Sequence, residues 1–204
     1  MKTLRMMQQI AFHPYNFFEG IQESGRIKWL QGITVMLLVY LARMISIIIT
    51  GYTFQTKEPY QISALHELIW ILVPWFTFTL SNWAVSTILD GEGKFKEIFV
   101  GSAFALVPYI ILIVPISLLS RWLSLDESGI YSFLTMFTLC WAGWLLLVGI
   151  KILHDFEIGK LIWIVLITIV GILIIWYVGI LMFGLINQLY NFIADIIKEL
   201  SMRA

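Results

Sequence analysis

The chain has 204 residues, of which 60% are hydrophobic and 13% charged, and it carries no net charge. A soluble domain usually holds about a quarter charged residues, so this composition excludes an ordinary water-soluble fold. Without a basic excess, nucleic acid is not expected as a partner. The single cysteine, Cys140, can form no internal disulfide.

At the start, Lys2 and Arg5 supply positive charge, but Gln8, Gln9, His13, Pro14 and Asn16 interrupt any apolar run, so no cleaved signal peptide is expected. Pro14 suits the first position of a helix. Phe17, Phe18 and Ile21 then follow it at three- and four-residue spacing. This predicts a short helix that either lies along the cytoplasmic interface or tucks beneath a bundle.

Five apolar stretches come next: 29–56, broken only by Arg43, then 68–89, 98–120, 128–150 and 161–194. A bilayer core of roughly 30 Å takes about 20 helical residues, so each stretch predicts a spanning helix. The expected fold is an all-α integral membrane protein. It is a bundle of five transmembrane helices with a short N-terminal interfacial helix and an extended last helix. Three parts are expected: a cytoplasmic segment over 1–28, a membrane domain over 29–186 and an amphipathic extension over 187–204.

Arg43 falls inside the first span, where an arginine costs roughly 2.5–3.5 kcal/mol on insertion scales. Asn82, Ser81, Thr77, Ser102 and carbonyls near prolines are candidate neighbours; Glu67 or Asp126 can reach it only if the span shifts outward. Arg43 with Asn82 then forms either a polar pathway or a packing feature. Pro74, Pro108 and Pro115 lie within spans and each removes a backbone hydrogen bond; Pro108 and Pro115 are expected to bend the third span twice. Between the second and third spans, Asp90-Gly91-Glu92-Gly93-Lys94-Phe95 reads as a tight cytoplasmic turn made by its two glycines, with Phe95 and Ile98 at the interface. This loop is not a phosphate loop, since Ile88 stands where the first glycine belongs and Phe95 where Ser or Thr belongs. His154-Asp155 reads as a solvated pair in the last inner loop.

The final stretch is too long for one crossing. Beyond it, Ile186, Leu189, Tyr190, Ile193 and Ile197 keep helical spacing, with Asn187, Gln188, Asn191, Asp195 and Glu199 on other faces. The helix either continues past the outer surface or bends onto it. Its apolar stripe binds lipid head groups, the chain's own loops or another protein.

Orientation follows from Lys and Arg placement. Lys2, Arg5, Arg26, Lys28, Lys94, Lys96, Lys151 and Lys160 fall on one side, against Lys57, Arg121, Lys198 and Arg203 on the other. The positive-inside rule puts the N-terminus in the cytoplasm and, after five spans, the C-terminus outside. His13, His66 and His154 are scattered over both sides, so no metal site is expected. No catalytic constellation and no cofactor site is expected either.

The loop 90–98 followed by Ala105-Leu106-Val107-Pro108 resembles the central signature of the Yip1 domain family of five-span membrane proteins. The opening Phe12-His13-Pro14-Tyr15-Asn16-Phe17-Phe18-Glu19 and the ending Gln188-Leu189-Tyr190-Asn191-Phe192 resemble its bacterial members. Eukaryotic members carry a long cytosolic N-terminal region and work with small GTPases in vesicle traffic. The short segment here departs from that pattern. Some bacterial members are associated with ABC transport systems as accessory membrane proteins. The resemblance therefore implies a non-catalytic accessory or adaptor protein in a bacterial cytoplasmic membrane. Its partners would be the bilayer and other membrane proteins such as ABC transporter subunits, with self-association also open. A small channel or transporter with Arg43 on its pathway, and a membrane-shaping scaffold, are the alternatives.

Overall fold

A backbone in hydrocarbon has no water to satisfy its N–H and C=O groups, so apolar stretches of this length close their hydrogen bonds internally as helices. The computed structural model describes residues 3–23, 27–55, 60 and 62–203. Lys2, Arg26 and Lys57, counted for orientation, and Thr56, the end of the first stretch, lie outside the described residues.

The elements are α1 (Thr3–Phe12), α2 (Pro14–Gln22), α3 (Trp29–Ile49), α4 (Ala64–Ile88), α5 (Phe95–Ala105), α6 (Val107–Leu119), α7 (Ser128–His154) and α8 (Ile158–Arg203). Short 3-10 turns at Tyr52–Phe54 and Leu125–Glu127 precede α4 and α7. No strand occurs among the described residues. Among the described residues, five helices or helix pairs are long and apolar enough to cross a membrane. The fold is thus an all-α membrane bundle.

Two ends can be told apart. At the Thr50 end, Gly51 N–H donates to Ser120 Oγ at 2.8 Å and Phe54 packs on Tyr131. At the His154 end, Gly93 N–H donates to His154 Nδ1 at 3.2 Å, and Trp29 packs on Phe95 and Phe99. α3 and the α5–α6 pair run towards the Thr50 end, and α4 and α7 run back.

The third span differs from its expectation. It is interrupted at Leu106, and Pro108 opens a new helix, α6, from its first turn. That position needs no N–H, so the proline is tolerated there. Pro115 stays inside continuous α6. The break at Leu106 thus stands where a bend at Pro108 was expected.

α5 is the hub of the core, with every residue from Glu97 to Ala105 buried. Its small residues let neighbours approach. α2 brings Phe17, Phe18 and Ile21 into the same cluster, beside Val100, Phe104 and Leu145. Phe18 lies so close to α7 that a Cβ on Gly149 would be 2.8 Å from its ring. α2 is thus tucked under the bundle. The preceding helix α1, which the sequence did not suggest, seats Met6 and Ile10 in that cluster as well.

Candidate functional site

Arg43 Nε donates to Glu67 Oε2 at 3.1 Å, and the two side chains are 35% and 5% exposed. The Tyr109 hydroxyl from α6 lies beside the same guanidinium. Glu67 reaches Arg43 because α4 starts at Ala64, before the uncharged stretch begins. Ser63 caps that start, its Oγ accepting from His66 N–H. Asn82, Ser81, Thr77 and Ser102 are not the partners of Arg43. Two of them bond to Thr168 of α8: Ser81 Oγ donates to the Thr168 carbonyl at 2.8 Å, and Asn82 Nδ2 to Thr168 Oγ1 at 3.4 Å. Thr77 receives a hydrogen bond from Trp176 Nε1, and Ser102 one from Trp75 Nε1. Asn82 is fully buried and its Oδ1 has no partner.

Below Arg43 opens a cavity of about 530 Å³. Val39, Ile71, Phe78, Leu106 and Leu146 supply apolar walls, and Pro74 lies on its α4 side. Arg43, Glu67 and Tyr109 form its polar end. α4 packs on α3, α5 and α8, whereas α7 packs mainly on α2, α5 and α6 and less on α8, leaving α4 and α7 apart. On the Thr50 side of Arg43 a smaller space of about 60 Å³ is lined by Ser46, Thr50 and Gln55. Arg43 borders both.

At the His154 end, α4 and α7 finish in the same way. Asp90 and Asp155 adopt left-handed backbone with φ of 58° and 51°. The following N–H of each reaches five residues back: Gly91 to the Ser86 carbonyl at 2.8 Å, and Phe156 to the Lys151 carbonyl at 3.1 Å. This is the Schellman closure, and aspartate is among the few non-glycine residues that tolerate it. The turn at 90–94 is therefore made by Asp90, not by its glycines. Gly91 and Gly93 serve close approach instead, since a Cβ on Gly93 would meet the His154 ring at 2.6 Å. His154 is 2% exposed and stacks on Phe156 at 5.2 Å, so the solvated-pair reading holds only for exposed Asp155. An imidazole accepting at Nδ1 carries its proton on Nε2, and that nitrogen is buried without a partner. Glu92 and Lys94 are exposed, and Lys94 N–H is capped by Glu97 Oε2 at 3.0 Å. Ile98 is 3% exposed, inside the core and not at an interface, whereas Phe95 joins an aromatic cluster with Trp29, Trp83 and Phe99.

The stripe on α8 stands away from all of this. Ile186, Leu189, Tyr190, Ile193 and Ile197 are all exposed. Among the described residues no loop covers them, and α8 continues as one helix to Arg203. Among the described residues no group of three His, Cys, Asp or Glu comes together to hold a metal.

Residues 8–191 match the Yip1 domain, and the chain therefore belongs to the Yip1 domain family, a family of non-enzymatic membrane proteins. No curated protein and no solved structure matches it.

Proposed function

We propose that this Yip1-domain protein is a non-catalytic accessory subunit of a bacterial cytoplasmic membrane, with its N-terminus in the cytoplasm and its C-terminus outside. It assembles with a membrane transport complex such as an ABC transporter, using the free part of α8 as its docking helix.

The observation that carries this reading is the exposure of every residue from 177 to 199. α8 has 46 residues, or about 69 Å at 1.5 Å per residue, more than twice the roughly 30 Å of hydrocarbon. It pairs antiparallel with α4, with Thr168 beside Ser81 and Trp176 beside Thr77. That register puts Ala64, where α4 starts, opposite roughly residues 185–189 of α8. Past that point every residue of α8 up to 199 stays exposed, yet its apolar stripe continues. Each large aliphatic side chain left in water forgoes about 1.5–3 kcal/mol of burial, and an amphipathic helix of this spacing suits a groove on another protein. The transport partner rests on the likeness to bacterial members of the family. Exposed Glu92 and Lys94 offer a second contact, to a peripheral subunit on the cytoplasmic side.

Leu189→Glu together with Ile193→Glu tests the docking helix. The spanning part of α8 is untouched, so insertion stays intact. Co-purification from the native membrane in mild detergent should lose the partner; retention of the partner at the wild-type ratio contradicts the assignment.

A further inference from the structure

The cavity between α4 and α7 is unlike the rest of the interior. It is a half-open cleft of about 530 Å³, not an enclosed void. Its apolar walls offer water few of the two to four hydrogen bonds that a buried water requires. It also opens sideways. Trp70 on α4 and Leu139 on α7 both line it, and they are 55% and 51% exposed. Both sit well within helices long and apolar enough to span a membrane, so the mouth faces acyl chains.

The two ends of the site differ chemically. Arg43 and Glu67 close one end, and Arg43 also borders the polar space of Ser46, Thr50 and Gln55 that leads to the Thr50 end. From Glu67 to Phe78, two residues on the cavity's wall, α4 rises about 16 Å, close to half of the roughly 30 Å hydrocarbon. A polar space and an apolar chamber one leaflet deep, with one guanidinium bordering both, match the polarity of a membrane amphiphile. Guanidinium is a bidentate phosphate binder.

We propose that this cavity binds a bilayer phospholipid from the leaflet at the Thr50 end. One acyl chain enters between Trp70 and Leu139 and lies against Phe78 and Leu146; the phosphate sits beside Arg43. The site is separate from the α8 stripe and does not depend on what docks there.

The full chain is reconstituted in vesicles of phosphatidylethanolamine and phosphatidylglycerol containing a trace of phosphatidylethanolamine with a diazirine on its acyl chain. After irradiation, the labelled residues are mapped by mass spectrometry. Lipid-facing Leu173 and Ile174 serve as the internal standard for insertion, and buried Phe104 and Leu145 as the background. Label on Phe78 and Leu146 near the level of Leu173 is expected. In Ile71→Trp, which fills the chamber, label on Phe78 should fall about tenfold with Leu173 unchanged, equivalent to about 1.4 kcal/mol of occupancy. Background labelling of Phe78 and Leu146 in the wild type overturns the proposal, as does label on Phe78 that Ile71→Trp leaves unchanged. A parallel arm uses a diazirine fatty acid; labelling of the cavity by that probe alone overturns the phospholipid assignment.

Discussion

Arg43 shows how a charge within one span depends on where another helix starts. Its charge needs a partner, and Glu67 supplies one only because α4 begins at Ala64. Losing one member of a buried ion pair costs about 3–5 kcal/mol, because the other is left uncompensated. The partial exposure of Arg43 brings this to roughly 2 kcal/mol for Glu67→Leu. Arg43→Leu/Glu67→Leu leaves no stranded charge and should recover most of the loss. Thermal unfolding of both variants in the same detergent measures this; a double variant less stable than Glu67→Leu contradicts it. That Arg43 needs a partner was legible in the sequence. Glu67 was legible there only as a conditional partner, because the uncharged core of the span starts at residue 68; Ser63, a capping residue ahead of Glu67, moves the helix start outward and meets the condition.

Among the elements, the paired ends of α4 and α7 depend on contact between two turns more than on either turn alone. Gly93 N–H reaches His154, and the Leu153 carbonyl stands 3.0 Å from where a Gly93 Cβ would be. Backbone cannot yield as a side-chain tip can, so Gly93→Ala should separate the turns and cost about 1–3 kcal/mol by overpacking. Lys94→Ala, two-thirds or more exposed at its side chain, is the control and should be neutral. Unfolding midpoints check both; equal stability of Gly93→Ala and the wild type would show that the turns are not in tight contact. The loop's position was readable from its Gly and Asp content, but its geometry was not. Glycine is the usual left-handed residue, and nothing local shows that Asp90 takes that role while the glycines make room for a histidine 61 residues away. The same limit applies to α2: its apolar spacing predicted a helix, and only the bundle decides that Phe17 and Phe18 point into it.

For the whole molecule, fold class follows from the length and purity of the apolar stretches, and the excess length of the last one is visible in the sequence. The cavity was not visible. It lies where α4 leans towards α8 while α7 leans mainly towards α2 and α6, a property of packing that no single stretch encodes. The molecule thus divides into a packed bundle, a side-opening chamber beneath Arg43 and a bare helix that leaves the bundle near residue 186. If the bare helix docks on another membrane protein, contact must follow one face of it. Photo-crosslinking side chains placed singly at 186 to 199, in the native membrane, resolve that face residue by residue. The account predicts adducts to one membrane protein at 189, 193 and 197 and none at 187, 191 and 195, repeating with the helical period of 3.6 residues. Adducts to lipid alone, or protein adducts equally strong at every position, would contradict a docking role for α8.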